Sequence, residues 1–153
     1  MRAVVLSLVV TALAGVPQKP QPARPDLSGH WVADPIPGDQ DGRIPICQVE
    51  CVMTQAADAL LVRSMETDRI FTYKFDGSPT NPPPVKEGDH RNLLLVFRTS
   101  WKSDVLVIES TSGEYKTTAR LSLAAGRLTI EGERSPGQPL PKFKQAYRKL
   151  EKD

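Results

Sequence analysis

The sequence predicts an all-β protein that folds as an antiparallel up-and-down barrel of about eight to nine strands. Three observations lead to this fold class. Apolar and polar residues alternate along most of the chain after residue 27, and turn signals divide it into short runs. No segment carries an apolar stripe at helical spacing with capping residues at its ends.

Residues 1–14 are predicted to be a secretory signal peptide. Met1 and Arg2 form a short basic start, residues 3–13 are mostly apolar, and Ala12 and Ala14 form an A-x-A cleavage signal. The apolar run is shorter than the roughly 20 residues that span a bilayer. We therefore expect export to the periplasm or the extracellular space. The alternative is an uncleaved N-terminal anchor.

Residues 15–26 are predicted to be a proline-rich linker, and residues 27–153 to be the barrel domain. The full chain has a formal net charge of +2, with acidic and basic residues interspersed. This balance argues against nucleic acid and anionic membranes as partners. No integral membrane segment is expected after cleavage of the signal peptide.

Each predicted strand places alternate side chains on one face of the sheet. The first strand contains Trp31, and the last contains Tyr147. The residues predicted to share a face in the strands after the first are Leu60, Val62 and Ser64; Phe71, Tyr73 and Phe75; Leu93, Leu95, Phe97, Thr99 and Trp101; Leu121 and Leu123 with Leu128 and Ile130; and Phe143, Gln145 and Tyr147.

One long interruption separates the strands, at residues 77–90. Residues 82–84 are consecutive prolines, which have no N–H to donate to a strand ladder, so this segment is predicted to be a loop at one mouth of the barrel. A cluster of polar residues, Glu87 with residues 89–91, lies beside it. A solvated loop is the favoured interpretation of this cluster over a functional site.

Cys47 and Cys51 are the two cysteines of the chain. On a regular strand their Cα atoms would lie about 13 Å apart, whereas a disulfide needs less than about 7 Å. Either the chain bends and they pair, or both are free thiols. An exported protein with an even number of cysteines favours pairing, which requires a tight turn at residues 48–50.

Residues 27–31 read Leu-Ser-Gly-His-Trp, and a G-x-W in the first strand resembles the calycin superfamily, the lipocalins and fatty-acid-binding proteins. The chain also resembles a group of uncharacterised exported bacterial proteins over most of its length, through short motifs. Those motifs are the L-S-G-x-W start, Thr54-Gln55, Asp76-Gly77-Ser78 with Asn81, and Trp101 with Leu106-Val107.

The resemblance implies structural roles for Gly29, Trp31 and Arg148. Calycins carry an arginine in the last strand that packs near the tryptophan, so the indole of Trp31 is expected to close one end of the barrel against the guanidinium of Arg148. The sequence departs from this pattern in one respect. Alternation places Arg148 on the opposite face from Phe143 and Tyr147.

The leading functional hypothesis is a non-enzymatic, lipocalin-like protein that carries a small apolar or amphipathic ligand. Its candidate ligand-binding residues are Tyr73, Phe75, Phe97 and Trp101, beside a mouth bordered by the 77–90 loop. The alternative is a filled barrel that binds a protein partner in the cell envelope or acts as a structural module. A cavity above roughly 300 Å³ favours the first, and a solid core favours the second.

No arrangement of residues predicts a catalytic site, a metal or a cofactor. His30 and His90 have no serine or cysteine placed as a nucleophile. Neither histidine lies at ligand spacing from Cys47 and Cys51. An enzyme is therefore the third hypothesis, and we expect no catalytic residues, metal or cofactor.

The signal-peptide hypothesis makes a direct prediction. The mature protein is expected to start at Gly15, because signal peptidase cleaves after the small residues of the A-x-A sequence. N-terminal sequencing of exported protein tests this, and material that begins at Met1 would contradict it.

Overall fold

The fold is described from a computed structural model, which covers residues 23–35, 44–84, 94–138 and 141–151. These ranges contain nine β-strands and no α-helix, so the predicted fold class is confirmed. The strands are β1 (Gly29–Ala33), β2 (Glu50–Gln55), β3 (Ala59–Ser64), β4 (Ile70–Lys74), β5 (Leu95–Lys102), β6 (Val105–Ser112), β7 (Tyr115–Ala124), β8 (Arg127–Arg134) and β9 (Lys142–Leu150).

All nine strands belong to one antiparallel sheet with the order β4-β3-β2-β1-β9-β8-β7-β6-β5. Strands that follow each other in the chain are neighbours in the sheet, except for β4 and β5. β1 also pairs with β9, where Trp31 lies opposite Lys149. The sheet curls into a nearly closed barrel, consistent with a calycin-like up-and-down arrangement. Its two edge strands, β4 and β5, are joined by the long connection that starts at residue 75.

The seam between β4 and β5 is closed by the connection itself. The side chain of Asp76 accepts hydrogen bonds from the N–H and the hydroxyl of Ser78, which turns the chain back along the sheet. Thr80 and Phe97 then exchange both backbone hydrogen bonds, and the amide of Asn81 donates to the carbonyl of Leu95. The connection therefore pairs with β5 through a single β-bridge, in place of a ladder between β4 and β5.

The connection does not lie where the sequence predicted it. Residues 77–84 run along the seam, from the β4 end of the barrel toward the start of β5, rather than around one mouth. The physical reason is that β4 and β5 are unpaired edges, whose free N–H and C=O groups need partners. The remainder of the predicted loop, residues 85–90, and the polar cluster at Glu87 and residues 89–91 lie outside the described residues.

Alternation along the strands builds the core, as the sequence predicts. Inward residues face each other across neighbouring strands, for example Leu121 opposite Ile130 and Met53 opposite Val62. The largest side chains with almost no exposed surface are Trp31, Tyr73, Tyr147, Leu27, Ile44, Met53, Leu60, Leu106, Leu121, Leu128, Ile130 and Val62.

Trp31 closes one end of the barrel, as the resemblance implied, but its cation is not Arg148. The indole N–H donates to the carbonyl of Leu27 over 2.9 Å, and the Lys149 ammonium lies 5.6 Å from the ring centroid. Arg148 is exposed and points to the outer face, so the predicted guanidinium contact is wrong. Lys149 lies two positions after Tyr147 and therefore on the same, inward face of β9. This explains why Lys149, and not Arg148, lies over the indole.

Gly29 has a packing role beside the same tryptophan. A Cβ at this position would lie 2.4 Å from Cε of Lys149, the side chain that reaches over Trp31. The segment before β1 is held by Gln55, whose side-chain oxygen accepts from the Leu27 N–H and whose side-chain nitrogen donates to the Pro25 carbonyl. The last residues of the predicted linker therefore contact the barrel.

Cys47 and Cys51 form a disulfide, as predicted, with Cα atoms 5.2 Å apart. The chain bends sharply because Ile46 and Gln48 both have positive φ angles, of 82° and 54°. Residues 45–49 form this turn, called here the disulfide loop, immediately before β2. The predicted signal peptide and most of the predicted linker lie outside the described residues, which contain no helix long and apolar enough to cross a membrane.

Burial of Trp31 makes a prediction about stability. Trp31→Ala is expected to lower the free energy of unfolding by about 3–5 kcal/mol, because it removes a fully buried indole and leaves a cavity. Chemical denaturation measures this loss. Tyr115→Ala is the control, because Tyr115 is an exposed strand aromatic. An unchanged unfolding midpoint for Trp31→Ala would show that Trp31 is peripheral.

Candidate functional site

The barrel contains a partly enclosed cavity of about 240 Å³. It lies at the end where β4, β5 and β7 begin, opposite the end closed by Trp31. The residues that line it are Pro45, Ile46, Gln48, Ser64, Thr67, Arg69, Phe71, Tyr73, Leu95, Phe97, Ile108, Ser110, Thr117 and Ala119.

The inner part of the cavity is apolar. Tyr73 and Phe97 face each other across the seam with ring centroids 5.1 Å apart in an edge-to-face arrangement, and Phe71 packs against Phe97 at 6.3 Å. Ile108 and Ala119 are paired on β6 and β7 and complete this floor. All but Phe71 are buried. The floor is suited to an apolar group, and in particular to an aromatic ring.

The outer part of the cavity is polar. Ser110 and Thr117, one step nearer the strand ends than Ile108 and Ala119, face each other across β6 and β7. Ser64 at the end of β3 contributes another hydroxyl. The rim formed with Gln48 and Arg69 therefore offers hydrogen-bonding groups above an apolar floor. An amphipathic molecule matches this gradient.

The disulfide loop covers the cavity on one side. Ile46 and Gln48 line the cavity, and the loop is tied to the barrel because the Tyr147 hydroxyl donates to the Gln48 carbonyl over 2.8 Å. A β-branched residue with positive φ, such as Ile46, is unusual and persists only where its surroundings hold it. The disulfide and the Tyr147 hydrogen bond provide that restraint.

The four predicted ligand-binding residues divide between the two ends of the barrel. Tyr73 and Phe97 line the cavity. Phe75 and Trp101 instead pack against each other at the opposite end, with ring centroids 5.6 Å apart, and Arg24 lies over the Trp101 ring. The structure therefore brings two of the four predicted residues to the cavity and places the other two away from it. Residues on the same face of a strand lie at different depths along the barrel axis. Sequence alternation predicts which face of the sheet a side chain is on, but not its depth.

Sequence reasoning missed most of the residues around Tyr73 and Phe97. Phe71 could have been predicted, because it lies two positions before Tyr73 on β4 and so shares its inward face. Arg69 and Gln48 carried no comparable signal. They lie in a turn and in the disulfide loop, and only the fold brings them to the cavity.

The cavity has a distinctive charge pattern. Among the described residues that line it, Arg69 is the one charged side chain, and none of these residues carries a carboxylate. Outside the cavity, no group of three or more His, Cys, Asp or Glu side chains in the described ranges is arranged to hold a metal ion. The geometry of the site is that of a binding cavity with an aromatic floor and a cationic rim.

Comparison with known proteins adds no family to this picture. Neither protein-family models nor curated proteins match the chain.

The two buried tyrosines predict a loss of stability at alkaline pH. Burial raises the pKa of Tyr73 and of Tyr147 above the ordinary value of about 10. Above that pH the unfolded chain loses these protons while the folded chain keeps them, so the free energy of unfolding falls as pH rises. In a Tyr115→Phe variant, phenolate absorbance is therefore expected only as the protein unfolds.

Circular dichroism recorded at each pH provides the check. Phenolate absorbance that develops near pH 10 while the far-ultraviolet spectrum stays native would contradict burial of the two tyrosines. Adding Tyr73→Phe to the Tyr115→Phe variant should reduce the loss of stability above that pH, because one of the two linked protons is removed.

Proposed function

We propose that this protein is an exported, non-enzymatic binding protein. It holds one small amphipathic ligand in the cavity at the end of the barrel where β4, β5 and β7 begin. The observation that carries this proposal is the cavity, which combines an aromatic floor with a polar rim at one end of the barrel. Ligand pockets are typically concave, mostly apolar and supplied with a few directed polar groups.

The size of the cavity limits the ligand. At about 240 Å³ it does not reach the roughly 300 Å³ that was expected of a carrier, which is also where drug-sized pockets begin. The described interior is not solid either, so neither of the two expectations is met in full. The cavity exceeds the one of about 150 Å³ that accommodates benzene in an engineered protein core. The proposed ligand is therefore a compound of one ring with a small substituent. A long-chain fatty acid is too large for it.

Two further features support export and a binding role. The disulfide between Cys47 and Cys51 is the kind of bond that persists in oxidising compartments. It also holds the loop that covers the cavity, so the same compartment that maintains the bond maintains the site. Export agrees with the signal peptide predicted for residues 1–14.

Calorimetric titration with one-ring compounds tests the function. Toluene and benzyl alcohol are expected to bind saturably and to raise the thermal unfolding midpoint, since a ligand that binds only the folded state stabilises it. Dodecanoate is expected to bind far more weakly, because its chain exceeds the cavity. Absence of saturable binding by every one-ring compound would overturn the proposal and favour the filled-barrel alternative.

Variants locate the binding. Ala119→Leu places a larger side chain in the cavity floor and is expected to abolish binding with folding retained. Ala124→Leu is the matched control, because Ala124 is exposed at the far end of the same strand. Ser110→Leu fills the cavity from β6 and replaces Ala119→Leu if that variant is unstable. Unchanged affinity in folded filling variants would place the binding elsewhere.

A further inference from the structure

Arg69 presents a positive charge to the cavity without a carboxylate partner in the described structure. One guanidinium nitrogen donates to the Pro83 carbonyl, and the guanidinium carbon lies 5.1 Å from the Phe71 ring centroid. Neither partner carries a negative charge. Arg63 on the same hairpin differs, because it forms an ion pair with Asp68 at 2.5 Å on the exposed side.

Two buried polar atoms at the rim have no hydrogen-bond partner among the residues that the structure describes. They are Nε of Arg69 and Oε1 of Gln48, and both residues line the cavity. A buried donor or acceptor left unsatisfied destabilises the folded protein, and more so when the group is charged. A bound molecule with polar groups at the rim would satisfy both atoms at once. The side-chain amide of Gln48 has an oxygen that accepts and a nitrogen that donates, so it can bind a donor or an acceptor of the ligand.

The chemistry of Arg69 selects an anion. The guanidinium is planar and permanently charged, and its N–H groups match a carboxylate through two parallel hydrogen bonds. Its position over Phe71 and its bond to Pro83 hold it in place before a ligand binds. Pre-organisation of this kind reduces the entropy lost on binding. One cation in a cavity this small suits one singly charged group better than a phosphate.

We propose that the ligand is a single-ring aromatic carboxylate, with its ring against Tyr73 and Phe97 and its carboxylate on Arg69. This inference rests on the proposed function, since it assigns the chemical class of the molecule that occupies the same cavity. The ring contributes apolar burial and edge-to-face contacts, and the carboxylate supplies the missing counter-charge. A second polar substituent on the ring would reach the Gln48 amide.

Benzoate and benzamide provide a matched pair of probes. They have nearly the same shape and differ in charge, so their affinities separate the ion pair from the burial of the ring. By calorimetry with the full mature protein, benzoate is expected to bind about tenfold to hundredfold more tightly than benzamide. That range corresponds to about 1.4–2.8 kcal/mol at 1.4 kcal/mol per tenfold, as expected when a hydrogen bond to a charged group is gained.

Substitution of the arginine tests its role. Arg69→Gln is expected to remove the preference for benzoate while leaving benzamide affinity within about threefold, because the ring contacts remain. Arg63→Gln is the matched control and should change neither affinity, since Arg63 does not line the cavity. Arg69→Lys keeps the charge without the planar fork, so an intermediate affinity for benzoate is expected. This variant also serves if Arg69→Gln fails to fold.

The outcomes separate this inference from the proposed function. Equal binding of benzoate and benzamide, unchanged by Arg69→Gln, would overturn the carboxylate assignment and leave the binding function intact. Tighter binding of phenyl phosphate than of benzoate would also overturn it. Failure of benzoate, benzamide and the neutral one-ring compounds alike would overturn both proposals together.

Discussion

The pairing of β1 with β9 is the contact on which the rest of the barrel depends. It joins two meanders, β1–β4 and β5–β9, into one nine-stranded sheet. β1 has only five residues and pairs with β2 on one side and β9 on the other. Because the strand is so short, the side chains that it buries contribute much of what holds it in place. Trp31 at its centre has almost no exposed surface. Burial of Trp31 therefore stabilises the strand whose pairing with β9 joins the two halves of the sheet.

The seam between β4 and β5 is the second determinant of the site. Because these strands do not form a ladder with each other, the wall here consists of one backbone bridge on the outside and aromatic side chains on the inside. Phe97 takes part in both, through its backbone bridge to Thr80 and its ring contact with Tyr73. Arg69 lies at the base of the same seam. Its bond to Pro83 fastens the covering segment, while its charge faces the cavity.

The cavity exists because the two ends of the barrel carry inward side chains of different size. At the Trp31 end the interior is filled by large residues such as Leu60, Leu106 and Leu121. At the other end, serine, threonine and alanine occupy equivalent inward positions on β3, β6 and β7. Small side chains in facing positions cannot fill a barrel of constant width. The disulfide loop partly covers the space that remains. Because this loop is short, its disulfide stabilises the folded protein by less than the ~3 kcal/mol given by a fifteen-residue loop.

The contrast between Tyr73 and Phe75 shows how far the candidate site follows from sequence. Both were predicted to face inward by their alternation, but they lie toward opposite ends of the barrel, and only Tyr73 reaches the cavity. Alternation reports the face of a strand, and it carries no information about depth along the barrel axis. Arg148 and Lys149 are a different case. The motif suggested Arg148 as the cation over Trp31, whereas alternation placed Arg148 on the outer face and Lys149 on the inner one.

The sequence alone is enough to predict the all-β class, the positions of most strands and their inward faces. It favoured pairing of Cys47 with Cys51 over two free thiols but did not fix the turn that the bond requires. These features depend on local patterns, namely period-two alternation, turn residues and cysteine spacing. Tertiary structure alone decided that residues 77–84 run along the seam and that Arg69 and Gln48 line one cavity with Phe97. The physical reason is that closure of the barrel brings together edges and loops that are distant in the chain, and no local pattern records which of them become neighbours.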